Sequence, residues 1–151
     1  MIIRPIQPTD LEKVEQLIRS AILEVNIKDQ PQAVTDFRLT IDPFRPRDTG
    51  HERDYFVAED GEIRGVLGLK DNELKTFFVD PKFQGQGVGK ALIKYVEALI
   101  VERGYSLGKV FSSLNAKGFY QQQGYVIIRE DITKIGQCDL IRFYMEKTLN
   151  K

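Results

Sequence analysis

The chain has 151 residues, with 22 Lys plus Arg set against 22 Asp plus Glu, so its formal net charge is zero. That length suits one domain over 1–151, large enough to bury roughly two-thirds of its unfolded surface without a disulfide or metal staple. The charge balance leaves no footprint for nucleic acid or an anionic membrane. The single cysteine, Cys138, cannot close an internal disulfide, and the single histidine, His51, leaves no His/Cys cluster for zinc.

In chain order, residues 2–7 read as a first strand. The segment TDLE follows, with Thr9 and Glu12 at capping-box spacing. Leu11, Val14, Leu17, Ile18, Ala21 and Ile22 then recur at helical spacing. Pro31 opens a second, weaker helix expected over 31–40, and Pro43, Pro46 and Gly50 mark an irregular segment after it. Asp60-Gly61 and the KDNE turn at 70–73 divide three strands near 54–59, 62–70 and 73–80, an antiparallel meander that Pro81 ends. Val88, Leu92, Ile93, Val96, Leu99 and Ile100 mark an amphipathic helix over 87–103, stopped by Gly104. A strand near 107–112, a short helix about 115–123 and strands near 125–130 and 139–147 complete the chain. Strand 73–80, helix 87–103 and strand 107–112 form a β-α-β unit whose strands should be parallel. The sequence has no apolar run of membrane-spanning length, and MIIRPIQPTD lacks a signal-peptide core. A cytoplasmic protein is expected.

Gly85, Gly87 and Gly89 alternate where the helix begins. A Walker loop is excluded, because Gln84 stands where its first glycine belongs and Ala91 follows Lys90. The dinucleotide fingerprint fails too, since Lys90 occupies its third glycine position. The physics of a glycine turn entering a helix still favours an anion: unpaired N–H groups and the positive end of the helix dipole converge there. Close helix–strand packing is the competing use for such glycines.

The segment QGQGVG at 84–89 resembles the Q/R-x-x-G-x-G/A signature of the GCN5-related N-acetyltransferase (GNAT) family, and LKTFFVDP at 74–81 resembles that family's fourth strand. Downstream, SLNAKGFYQQQGY at 113–125 resembles its N-x-x-A-x-x-F-Y-x-x-x-G-F segment. The resemblance covers nearly the whole chain in element order. In residue identity it is strong over about 74–92 and 113–125. It implies an α/β (α+β type) fold: a mixed, mostly antiparallel seven-stranded sheet, flanked by about four helices and splayed between strands 4 and 5. Acetyl-CoA would lie in the opening and no metal is implied. Its pyrophosphate would sit on the turn of Gln84, Gly85, Gln86, Gly87, Val88, Gly89 and Lys90. The pantetheine arm would run along Phe77, Phe78 and Val79. At the family's asparagine position stands Ser113, with Asn115 two residues on. Ser113 and Asn115 are both candidate cofactor contacts: a serine there could cap the short helix, and Asn115 could instead reach the pantetheine amides.

By the same resemblance, acetyl passes directly from thioester to amine. A lysine-like amine has a pKa of about 10.4, so a base is useful at neutral pH. Glu73, at the family's glutamate offset, is the candidate base, against an ordinary strand-end carboxylate; His51 is a rival. Tyr120 is the candidate acid for the leaving sulfur, against a packed aromatic beside Phe119. The acceptor would be a small-molecule or peptide amine, walled by about 28–54, where Arg45 and Arg47 offer a carboxylate receptor. A monomer or homodimer is expected, with no nucleic-acid or membrane partner. A non-catalytic acyl-CoA-binding sensor is the alternative reading.

Overall fold

The computed structural model describes residues 1–26 and 53–150. The helix expected at 31–40, His51, Arg45 and Arg47 lie outside them. Seven strands form one sheet: β1 (Ile2–Pro5), β2 (Asp54–Asp60), β3 (Glu62–Lys70), β4 (Glu73–Val79), β5 (Leu107–Ser113), β6 (Val126–Ile135) and β7 (Cys138–Thr148). Their spatial order is β1-β2-β3-β4-β5-β7-β6. The β4/β5 pair is parallel and every other neighbouring pair is antiparallel. The α-helices among the described residues are α1 (Leu11–Ala21), continued by a π-helical turn over Ile22–Asn26, α2 (Val88–Glu102) and α3 (Lys117–Gln122). No helix among them is long and apolar enough to cross a membrane.

The two faces of the sheet carry separate cores. Val14, Leu17 and Ile18 of α1 pack on Val57, Ile63 and Val66. Leu92, Ile93, Val96 and Ile100 of α2, fully buried, pack on Leu67, Leu69, Val110 and Met145 across the other face. Burying each such side chain contributes about 1.5–3 kcal/mol. Helix α2 ends in a Schellman motif: Gly104 N–H donates to the Val101 carbonyl at 2.9 Å and Tyr105 N–H to that of Ile100 at 3.2 Å, with Gly104 at φ 95°.

Three boundaries differ from expectation. The start of α1 is not capped by Thr9 and Glu12. Pro8 begins a 3-10 turn earlier, and the Asp10 carboxylate accepts from the Gln7 N–H at 2.7 Å. Strand β1 accordingly ends at Pro5. The final hairpin is longer than its apolar residues suggested. After β5 ends at Ser113, opposite Arg142, β6 and β7 continue together to the Ile135–Cys138 pair. Residues 131–134, polar at Asp131, Thr133 and Lys134, are held by ladder bonds rather than by core burial. Cys138 is a half-buried free thiol there.

Candidate active site

The parallel β4/β5 ladder holds just two residue pairs, Glu73 with Lys109 and Leu74 with Val110. At the closed end Asn72 clamps it: its carbonyl accepts from Lys109 N–H at 3.1 Å, and its side-chain amide donates to the Leu107 carbonyl at 2.9 Å. Beyond Leu74 the strands part. The edge of β4 from Lys75 to Val79 lacks β5 as a partner, so its backbone groups can receive an extended ligand as an added strand. The splay expected between strands 4 and 5 is therefore present.

A bulge at Lys75 shifts the β3/β4 register between the Leu69–Leu74 and Gly68–Thr76 pairs. The extra residue reverses the alternation of side chains. Leu74, Phe77 and Val79 join the α2 core, whereas Phe78 packs on the α1 side. Glu73 takes the face opposite Leu74 and pairs with Lys75 at 3.1 Å; its side chain is 18% exposed. Of the three residues expected along the pantetheine arm, Phe77 and Val79 border the α2 side of the opening. The Phe78 ring does not, which leaves only its backbone for that role.

Past β4, the Asp80 carboxylate accepts from Lys82 N–H at 3.0 Å and starts a 3-10 turn over Pro81–Phe83. Gly85 and Gly87 follow at φ 77° and 82°. At either, an added Cβ would meet no atom within 4 Å, so what these glycines secure is left-handed backbone and an open approach. Gly89 is different. A Cβ there would lie 3.3 Å from the Phe119 ring and 3.5 Å from that of Phe77. Its reason is packing, the competing use for the glycine run. The N–H groups of Gly85, Gly87, Val88, Gly89 and Lys90 donate to no backbone carbonyl among the described residues. Five unpaired donors at a helix N-terminus fit a pyrophosphate. Val88 is buried, so it has only its N–H to offer, while Lys90, Gln84 and Gln86 are exposed. The Gln84 side chain donates back to the Val79 carbonyl at 3.3 Å, bracing the turn against its strand.

Helix α3 closes the other side. Ser113 does not cap it; its hydroxyl donates to Asn115 Oδ1 at 2.8 Å, and Ala116 stands at the N-cap without a side-chain bond. An Asn115 amide oriented in this way turns its donors away from Ser113. Phe77, Phe119, Tyr120 and Tyr125 form a chain of tilted and edge-to-face rings: Phe77–Phe119 at 5.7 Å, Phe77–Tyr120 at 6.0 Å and Tyr120–Tyr125 at 5.8 Å. Tyr120 is 6% exposed and burial pushes its hydroxyl above the ordinary tyrosine range. Among the described residues the sealed side-chain oxygens without a hydrogen bond are Tyr125 Oη and Glu97 Oε2, the other Glu97 oxygen accepting from Lys147 at 3.0 Å; Tyr120 is not one of them. The Tyr120 hydroxyl is thus a protonated donor at neutral pH, on a ring fixed by its neighbours.

Sequence reasoning missed a cluster on the opposite face of β5 and β7. Phe111 and Tyr144 meet at 5.0 Å, Arg129 lies 4.5 Å over Tyr144, and the Tyr144 hydroxyl donates to Glu146 at 2.5 Å. That bond first, then burial and the charges of Glu146 and Glu73, push Tyr144 up to about 12. Glu73, opposite Lys109 on β5, stands two register positions from Phe111 on the same face. The available signal was the alternation of Tyr144 with core residues Phe143 and Met145. A separate concavity of about 420 Å³, lined by Leu107, Val126, Ile128, Glu146 and others, contains none of the expected site residues. Among the described residues there is no His, Cys, Asp and Glu grouping able to hold a metal.

A strand fork, a glycine cradle at its open end and an aromatic helix beside it define an acyltransferase-type fold. The chain belongs to the GNAT acetyltransferase family: the "Acetyltransferase (GNAT) domain" matches residues 30–148. It is 30% identical over 87 residues to an uncharacterized N-acetyltransferase of Chlorobaculum tepidum, covering 54% of this chain and 55% of that protein. It is 28% identical over 82 residues to the peptidyl-lysine N-acetyltransferase YjaB of Salmonella typhimurium, with the same coverage. The chain thus spans about half the length of the curated relatives it matches. Among solved structures, a GCN5-related N-acetyltransferase of Rhodopseudomonas palustris superposes with a TM-score of 0.85 at 25% identity, covering 98% of this chain and 95% of that one. The PaiA N-acetyltransferase of Thermoplasma acidophilum, solved with coenzyme A, shares the fold with a TM-score of 0.73 at 17% identity, covering 97% and 98%.

Proposed function

We propose that this protein is an acetyl-CoA-dependent N-acetyltransferase that moves acetyl directly to a primary amine of a small molecule or peptide. The observation that carries the reading is the fork: a β4 edge without β5 beyond Leu74, leading from the Phe77–Tyr120 aromatic cluster to the N–H groups of Gly85 and Gly87–Lys90 that donate to no backbone carbonyl. Those N–H groups hold the pyrophosphate, and the β4 edge orients the pantetheine. When bound, acetyl-CoA supplies an acetyl thioester, whose C–S bond breaks as the C–N bond to the acceptor forms. Glu73, on the face opposite Leu74, takes the proton that the amine loses, directly or through water. Tyr120, on the α3 side, donates a hydrogen bond to the sulfur as negative charge develops there. The lone half-buried thiol of Cys138 suits a reducing, cytoplasmic setting.

The test is thiol release from acetyl-CoA with a panel of amino acids, peptides, polyamines and aminoglycosides. Amine-dependent release is expected. Cofactor binding with no amine-dependent release would leave a non-catalytic acyl-CoA sensor.

A further inference from the structure

We propose that the acceptor carries a carboxylate as well as its amine, and that Arg142 on the open β5/β7 face receives it. This rests on the acetyl-transfer reading above and names the substrate class of that site. The alternation of β5 and β7 puts Lys109, Phe111, Arg142, Tyr144 and Glu146 on the face away from α2, because Val110, Phe143 and Met145 are in the α2 core. Glu73 shares that face. Two carboxylates there are paired, Glu73 with Lys75 at 3.1 Å and Asp131 with Arg129 at 3.1 Å, while Glu146 accepts from the neutral Tyr144 hydroxyl and keeps its charge.

Two cations remain. Among the described residues, neither Arg142 nor Lys109 has a carboxylate at ion-pair distance. The Arg142 guanidinium is 5.3 Å above the Phe111 ring, which leaves its N–H edge free for a planar anion. Asp131 is opposite Arg142 and Glu146 opposite Lys109 in the register, each beyond ion-pair distance, so the guanidinium edge is left for the carboxylate of an acceptor, which a polycation lacks.

The register also sets a length. Glu73 is opposite Lys109 at the closed end of the fork, and Arg142 is opposite Ser113 at the open end. The backbone step along β5 is four residues, but the Arg142 guanidinium lies over Phe111, two residues from Lys109, which sets it roughly 7 Å along the strand at 3.3 Å per residue. An amine handled near Glu73 therefore belongs to a molecule whose carboxylate is several bonds away. A lysine-type side-chain amine or the N-terminus of a short peptide fits. An α-amine beside its own carboxylate does not.

The experiment compares matched pairs: Nα-acetyl-lysine with its amide, a tripeptide with its C-terminal amide, and alanine and spermidine as controls. In the parent, kcat/KM for at least one acid should exceed that of its amide by about tenfold, mostly through KM, and whichever pair shows it identifies the source. Arg142→Gln should erase the difference, and Arg142→Lys should restore part of it. Amides or spermidine used as well as the acids, or a preference unchanged in Arg142→Gln, would overturn the inference while leaving acetyl transfer standing. If no amine releases thiol, calorimetric titration of the same pairs into CoA-loaded protein decides. An Arg142-dependent preference for the acid upholds the anion site and sinks the transfer reading; no preference sinks both.

Discussion

A Cβ on Gly89 would lie 3.3 Å from the ring of Phe119. The start of α2 and the body of α3 are therefore packed against each other without the spacing of a side chain. This joins the proposed pyrophosphate cradle to the residue before Tyr120. Gly89→Ala gains about 1 kcal/mol of helix propensity but has to move Phe119 by tenths of an ångström. That ring is already packed against Phe77 and Tyr120. The melting temperature should change little. Turnover should fall by about tenfold, because small misplacements near reacting groups are costly. Single-turnover thiol release beside a thermal melt checks this, and full activity would mean that Phe119 yields without carrying Tyr120.

The helices and the meander were legible because their periods are written locally. The α1 and α2 core residues recur every three or four positions, and Asp60-Gly61 marks its hairpin. The bulge at Lys75 was not legible. One extra residue in a strand leaves no compositional trace, yet it decides that Glu73 and Phe77 face opposite sides of the sheet. The Phe111–Tyr144 cluster was hidden for another reason: it forms across a strand pair more than thirty residues apart in sequence, and nothing local reports that register. Gly89 shows the limit of motif reading, since its place in a phosphate-like glycine run coincides with a packing requirement.

For the cradle, Gly87→Asn is the informative change. The backbone at φ 82° would strain a β-branched residue, so Gly87→Val confounds folding with binding. Asn enters left-handed backbone more readily and still places a side chain in space that is open to a ligand. Affinity for coenzyme A should fall at least tenfold with the melt shifted by only a few degrees. Calorimetry on the folded variant tests it, and unchanged affinity would remove the turn from the binding site.

At the N-terminus, Arg4 bonds both oxygens of buried Asp10, at 2.8 and 3.1 Å, and holds its carboxyl below the ordinary aspartate range. A depressed carboxylate stabilises the fold above its unfolded pKa of about 3.9 and loses that contribution as pH falls through its folded value. Asp10→Asn should cost about 1–3 kcal/mol at pH 7. Its deficit against the parent should shrink as melts are repeated below pH 4. A deficit constant down to pH 2 would show that the carboxylate charge is not what matters.

Glu73→Gln preserves size and removes basicity. If Glu73 accepts the amine proton, the rate at neutral pH should fall by about 10²- to 10⁴-fold. The deficit should narrow as rising pH supplies neutral amine. Its Lys75 partner is exposed, so the fold should tolerate the loss of that pair. A pH–rate profile superimposable on the parent's would reduce Glu73 to a strand-end carboxylate and move the search for the base to the segment containing His51.

Tyr120→Phe keeps the ring that meets Phe77, Phe119 and Tyr125, so folding should barely change. It deletes only the hydroxyl. Because burial raises that hydroxyl's pKa, Tyr120 keeps its proton across any practical assay range, and its removal should leave the shape of the pH–rate profile intact. A hydrogen bond to the departing sulfur is stronger in the transition state than in the ground state. Turnover should therefore fall by roughly ten- to a thousand-fold while cofactor affinity stays within a few-fold. Weaker binding with unchanged turnover would make the hydroxyl a ground-state contact. No effect on either would make Tyr120 a core aromatic and leave the thiolate to backbone donors. Stopped-flow thiol release with affinity measured separately distinguishes the three outcomes, and single-turnover conditions keep product release from masking the chemical step.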